Sequence, residues 1–520
     1  MVVPMKNGKN KYGQYMTPSI VTNLMVDMID HPKNARILEP SSGNGSFIKS
    51  LREAGFQNIS GVEIDGELIP TEFKDIVIHD NFLSHSFISK FDVIIGNPPY
   101  IRWKNLEDEL KADLSDNYWW NHYCNSLCDY SLPFILKSVD LLDENGELIF
   151  ITSEYWLSST HSQRMRDYLL SQGSIERIIL FNDKPIFENA TVSLMILKFI
   201  KSKKINAVEI IQSKDTSKLS VIECQQILSR SGNKINVFHI DQFKQKETWY
   251  ITNSDILDKI NFFEKKCTVN GKLNTLNDFV LVSNGMVSGL DKAFNISNCN
   301  LSQMEEETCI EVIKGKHTDQ FFYHEKSKYF LLNNIDLDEE TFIKNYPSIY
   351  NFIKPYIEDL KNRYQYGKDI PYWNWVFLRN CSTLSLDKPK IFVPCKERIS
   401  HKNFYRFCYV EPNIFPTQDV TALTLKEGIK ENIFYILAFL NTSFVFEWLK
   451  VKGIIKGSIV EFSAKPLKSL PFKSINFNNP EEVDIYEKIT SISKQIVSNK
   501  DLSKLPEIES HFIELFNLKN

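Results

Sequence analysis

In the first half of the chain, two apolar rhythms take turns. The stretches ARILEP, ISGVEID, FDVIIG, ELIFITS, IERIILF and TVSLMILKFI are short and almost continuously apolar. Such runs read as strands of a sheet covered on both faces. Between them, SFIKSLREAG, LPFILKSVDLLDENG and SQRMRDYLLSQG place apolar residues at helical spacing. Each ends at Gly or Asn-Gly, where a helix stops. Strand–helix alternation of this kind predicts an α/β fold with a Rossmann-like, doubly wound parallel sheet. Ligands of such a sheet sit beyond the carboxyl ends of its strands.

The rhythm is lost after about residue 240, near KQKETWY. Aromatic residues become dense and the strands look short and irregular. Two domains follow, an α/β domain over 1–240 and a mixed α+β domain over 241–520. Within the second, residues 352–406 carry eleven Lys or Arg against five acids, interleaved with Tyr364, Tyr366, Tyr372, Trp373 and Trp375. A helical segment, IFYILAFLNTSFVFEWLK, then leads into VKGIIKGS, where Gly453 and Gly457 would let backbone amides approach phosphates.

Composition changes this picture little. The 42% hydrophobic and 24% charged content is that of an ordinary globular protein, and the net charge of −4 means that any nucleic-acid surface must be local. The closest cysteine pair, CNSLC beside His122, lacks zinc-ligand spacing, so no metal is expected. With no secretory leader and no apolar run of about 18 residues, a cytoplasmic location without a membrane is expected.

Three motifs carry chemistry. ILEPSSGNGSF follows a strand and opens a helix; Gly43 and Gly45 permit a tight turn, but Ile48 replaces the third glycine of a dinucleotide fingerprint. Glu39, beside that turn, would repel a pyrophosphate and suits a cationic ligand. Glu63 closes the next strand in GVEID, where an acid accepts hydrogen bonds from a ribose diol. S-adenosylmethionine fits this pair, and HDNFL offers an acceptor and a ring for its adenine. The third motif is FDVIIGNPPY. Proline cannot join a sheet ladder, so Asn97 to Tyr100 lie in a stiff loop beyond the strand. The side-chain oxygen of Asn97 and the carbonyl of Pro98 would hold the hydrogens of an exocyclic amine, and Tyr100 would stack on its ring. Catalysis by such a clamp is mainly orientation.

With GQYMTP, GELIFITSEYWL and PIFENATVSLMILKF added, the sequence resembles the gamma-type, TaqI-like N6-adenine DNA methyltransferases, strongly over residues 12–200 and more weakly to about 472. The resemblance implies cofactor contacts from Tyr15, Thr17, Glu39, Ser41, Gly43, Gly45, Glu63, Ile64 and Phe134. It implies catalytic roles for Asn97, Pro98 and Tyr100, and contact of Phe187 with a flipped base. Many relatives carry DFL where this chain has HDNFL, so Asp80 or Asn81 would be the adenine acceptor, with Phe82 in the aromatic slot. Thr17 is also a candidate N-cap for the helix that follows Pro18. The implied reaction is methylation of N6 of an adenine swung out of specific double-stranded DNA, in a prokaryotic restriction–modification setting. Any endonuclease would be encoded separately. The same loop also serves methylation of RNA bases or of a release-factor glutamine, which stand as alternatives.

Overall fold

The computed structural model describes residues 15–187, 193–202, 205, 207–332, 337–399, 402–456 and 459–518. It divides between Ser254 and Asp255 into two compact units. The first unit is built on nine strands: β1 (Arg36–Glu39), β2 (Asn58–Glu63), β3 (Val77–His79), β4 (Phe91–Gly96), β5 (Leu142–Ser153), β6 (Ser174–Leu180), β7 (Leu194–Ile200), β8 (Ala207–Ser213) and β9 (Ile235–Asp241). Its helices are α1 (Ser19–Val26), α2 (Ser46–Glu53), α3 (Asp108–Ser115), α4 (Tyr118–Tyr123), α5 (Ser131–Leu141), α6 (Tyr155–Ser158), α7 (Gln163–Gln172) and α8 (Val221–Ser229).

The strands form one sheet in the order β3-β2-β1-β4-β5-β7-β6-β8-β9. Successive residues of β5 explain the continuous apolar runs. Leu148 and Phe150 join one core with α5 and α7, whereas Ile149 and Ile151 join another with α1 and α2. The chain leaves β1 toward β2 on one side and β4 on the other, so the crevice for a ligand opens between the ends of β1 and β4.

Two expectations are corrected. The sheet is mixed, because β7 runs antiparallel to both β5 and β6, and β9 antiparallel to β8. No helix separates β6 from β7 among the described residues, and a strand that returns without a crossover must pair antiparallel. The helix expected to run to Asn145-Gly146 stops at Leu141. From Leu142 the chain is already in β5, whose pairing with β4 shifts register between Phe91 and Val93, with Asn145 at φ 61° absorbing the turn.

The second unit is irregular, as its sequence suggests. A four-stranded antiparallel sheet (Val280–Asn284, Val420–Leu425, Lys390–Pro394, Cys408–Val410) stands with two three-stranded sheets. Its main core gathers Tyr435, Phe439, Phe512 and Phe516 from the helices Ile433–Leu440 and Leu505–Asn517. Among the described residues no single helix is long and apolar enough to cross a membrane.

Candidate active site

The pocket at the β1–β4 crevice has walls from Tyr15, Thr17, Glu39, Ser41, Gly43, Glu63, Ile64, Asn81, Phe82, Asn97 and Phe134. Met16, Pro40, Tyr130 and Phe47, none of them singled out from sequence, are also among the lining residues. The space between these walls, including what opens to solvent, is about 690 Å³. Gly43 has φ +52° and sits on the pocket wall. Gly45, at φ +74°, does not: a Cβ there would lie 2.4 Å from the Phe73 ring, so this glycine serves the packing of α2.

Two buried acids define the electrostatics. The Glu63 carboxylate accepts the Gly43 N–H at 2.7 Å and the Asp65 N–H at 2.9 Å, which fixes the turn to the end of β2. Glu39 is 2% exposed, and its Oε2 has no hydrogen-bond partner among the described residues. Burial, and then the neighbouring Glu63 carboxylate, push the Glu39 carboxyl well above the usual carboxylate range. A carboxyl kept protonated by burial is drawn back toward ionisation when a cation comes beside it, so this wall is matched to a cationic ligand rather than to phosphate.

At the far wall, Phe82 packs against Phe134 with ring centroids 5.1 Å apart. Asn81 lines the pocket, its amide nitrogen donating to Asp113 at 3.0 Å and its Oδ1 accepting the Leu83 N–H at 3.0 Å. Asp80 turns away and pairs with His85 Nδ1 at 2.7 Å. Lys137 reaches this loop from α5. Its ammonium donates to the carbonyls of Phe82 (2.6 Å), Leu83 (3.1 Å) and His85 (2.5 Å).

The catalytic-motif loop is held from several sides. Asn97 Nδ2 donates to the Tyr15 carbonyl at 3.0 Å and to Thr17 Oγ1 at 3.1 Å, while Ser41 Oγ donates to the Asn97 carbonyl at 3.0 Å. The Tyr15 carbonyl can only accept, so it takes the amide nitrogen of Asn97 and leaves Oδ1 buried with no partner among the described residues. Thr17 does not cap α1; Pro18 holds that position with no side-chain bond, and the Thr17 hydroxyl is spent on Asn97. Pro98, within the loop, is buried and does not line the pocket, whereas Pro99 does. Tyr100 donates its hydroxyl to the Ile151 carbonyl at 2.6 Å, and burial, then Asp129, push its phenol well up.

Phe187 stacks on Tyr15 at 5.5 Å and lies 6.5 Å from Tyr100. Tyr15, which sequence reasoning placed with the cofactor, therefore touches both the pocket and this ring cluster. The loop carrying Phe187 is pinned by Lys184, whose fully buried ammonium pairs with Asp215 at 2.6 Å and Glu223 at 3.1 Å. Sequence offered no signal for Lys184. For Lys137 there was one, since it stands three residues after Phe134 on the apolar face of α5.

In the second unit, much of the 352–406 charge is internal. Lys390 is buried and donates to the carbonyls of Leu386 and Lys388; Arg363 is spent on the carbonyls of Ser288, Pro371 and Asn374; Lys402 and Arg406 both pair with Glu397. Tyr372, Trp373 and Trp375 are core residues. Lys354, Lys361, Lys368, Lys396 and Arg398 are exposed, as are Tyr364 and Tyr366. Gly453 ends the helix Ser443–Lys452, where a Cβ would meet the Leu449 carbonyl at 2.2 Å; Gly457 lies outside the described residues.

A profile of the Eco57I restriction-modification methylase family matches residues 46–187. Over its whole length the chain is similar to two proteins of Haemophilus influenzae. It is 41% identical to the Type II methyltransferase M.HindII and 40% identical to the Type II methyltransferase M.HincII, in each case over 98% of both chains. Among solved structures, the Type IIL restriction-modification enzyme MmeI, determined in complex with DNA, shares the fold with TM-score 0.63 at 13% identity, over 96% of this chain and 72% of that one. The relatives do not favour the RNA and glutamine alternatives raised by the Asn-Pro-Pro-Tyr loop. Identity of about 40% sustained across both units makes this chain a member of the Type II DNA methyltransferases of restriction–modification systems.

Proposed function

We propose that this methyltransferase modifies the exocyclic N6 of adenine, swung out of a specific double-stranded DNA sequence, with S-adenosylmethionine as donor. One observation carries the reading: Asn97 Oδ1 is buried and unpartnered among the described residues while its amide nitrogen is locked on Tyr15 and Thr17. Such an oxygen waits for an N–H donor. An exocyclic amine supplies one, and its second hydrogen suits the Pro98 carbonyl. Two acceptors orient the nitrogen and favour its pyramidal form, so no strong base is needed and the proton leaves after the methyl arrives.

The residues fit the donor. Glu39, with an unpartnered buried oxygen, and Glu63 suit a cationic ligand without phosphate. Glu63 would hold the ribose, and Ile64, Asn81, Phe82 and Phe134 would receive the adenine. Ser41 and Gly43 would form the turn side, with Gly45 supporting that turn from behind. S-adenosylmethionine supplies the activated methyl group; the chain supplies orientation and exclusion of water.

Extrusion of a base costs a few kcal/mol. Stacking returns about 1–3 kcal/mol per base. A base between two rings needs roughly 7 Å, twice the stacking rise of about 3.4 Å. Tyr100 and Phe187, at 6.5 Å and tilted by 44°, would have to turn toward parallel and part from Tyr15 to accept one. The exposed basic residues of the second unit would contact phosphates, and a separately encoded endonuclease would share the recognition sequence. Incubation with duplex DNA and labelled S-adenosylmethionine, followed by nucleoside analysis, is expected to give N6-methyladenine. Label on cytosine N4, which offers a similar pair of hydrogens, would overturn the adenine assignment.

A further inference from the structure

We propose that Lys137 is a positioning residue for the cofactor's adenine: its ammonium draws together the carbonyls of Phe82, Leu83 and His85 and so sets the wall formed by Asn81 and Phe82. The inference rests on the S-adenosylmethionine reading above.

Lys137 and Phe134 lie one turn apart on α5, on the same face. Phe134 packs on the Phe82 ring, and Lys137 Nζ lies 5.0 Å from the centre of that ring. The loop turns tightly. The N–H groups of Ser84 and His85 both donate to the Asn81 carbonyl, and the Leu83 N–H donates to Asn81 Oδ1. Its carbonyls at 82, 83 and 85 then converge on one point. An ammonium has three hydrogens, and here each has an acceptor. Remove it and three carbonyl dipoles face one another in a site where Lys137 is 4% exposed. The loop would open, and Asn81 and Phe82 would move with it.

The charged and titratable groups around Lys137 come from the loop and from α5, with Tyr168 of α7 behind them. Asp80 and His85 are on the loop and paired with each other. Asp140, one turn along α5, is tied to Trp119 Nε1 at 2.7 Å and to the Tyr168 hydroxyl. The rings of Phe87 and Trp119, the latter from α4, close the remaining sides at 5.7 Å and 5.4 Å. Burial lowers the Lys137 ammonium to about 8, opposed by Asp80. Charge-assisted hydrogen bonds are about twice as strong as neutral ones, so the grip on the loop weakens above that pH.

The test compares wild type with Lys137→Met as full-length proteins. Dissociation constants for S-adenosylmethionine and for methylthioadenosine, which keeps the adenine and ribose but lacks the amino acid, are measured from about pH 6.5 to 9.5, a range that brackets the lysine's titration. Backbone hydrogen exchange is followed without ligand. The variant is expected to bind both ligands about 10–100-fold more weakly at neutral pH. For methylthioadenosine the wild type should lose affinity as the pH passes about 8, and the variant should be flat. Exchange should quicken at Phe82–Phe87 and not in β1 or β4. Equal affinities and equal pH profiles would overturn the positioning role, as would loosening spread over the whole sheet. If the methionine variant does not fold, Lys137→Gln is judged by the same outcomes. Wild type that binds neither ligand would instead overturn the cofactor reading.

Discussion

The two sides of the site are built differently. On the cofactor side the parts are fastened by hydrogen bonds that require no ligand: two N–H groups on Glu63 and three carbonyls on Lys137. On the proposed base side Asn97 is also hydrogen-bonded, but the rings lean on one another. Tyr15, Tyr100 and Phe187 form a ring cluster with centroid separations of 5.5 to 6.5 Å. Of these three side chains, Tyr100 is the one tied to the sheet, through the Ile151 carbonyl. On the proposed reading, the difference teaches that the donor pocket is set before binding, whereas a flipped base would have to trade ring–ring contact for ring–base contact. Small molecules select among fixed shapes; a base arriving from a duplex brings its own stacking surface.

The sharpest way to break the comparison is Asn97→Ala. Methyl transfer should fall by on the order of 10³-fold or more, with cofactor affinity, measured by calorimetry, within a few-fold of wild type. Comparable loss of cofactor binding would show that the two sides are not separable. Phe187→Ala should come next. It removes one stacking partner and should reduce kcat/KM on DNA by about 10–100-fold, leaving the donor pocket intact. Third, charge reversal at the exposed Lys354, Lys361 and Lys368 should weaken DNA binding and lower the log–log salt slope by roughly one for each phosphate no longer neutralised. An unchanged slope moves the DNA surface elsewhere.

The smallest effect concerns Glu39. Its folded-state pKa lies above the unfolded value of about 4.3. The folded chain therefore keeps a proton that the unfolded chain has released, and stability falls as pH rises from that value through the folded one. Glu39→Gln should remove this slope from a Tm-versus-pH series. A slope of the same size in the variant would assign it to other groups.

The strands and helices around the site were legible because each obeys one rhythm. β5 alternates its side chains between two cores, and α2 turns one face inward. The clamp loop was legible because two prolines leave the backbone little choice. What the sequence concealed depends on contacts between distant segments. The direction of β7 follows from the helix-free connection to β6. The service of Gly45 to Phe73 is a matter of tertiary packing. Lys390 and Arg363 looked like surface charge, yet each is spent on backbone carbonyls, because local composition does not report burial. Lys184 was hidden for the same reason, whereas Lys137 stood in view on the apolar face of α5, three residues after Phe134.

The antiparallel insertion of β7 has an effect beyond topology. Phe187 travels on the connection between β6 and β7, and both strands have partners on each side within the sheet. On that connection Ile186 and Phe187 pack into the same core as Ile37 of β1 and Val93 and Ile95 of β4. If Phe187 meets the acceptor base as proposed, a change in its reach is felt by the strands that shape the donor pocket, because one core carries both.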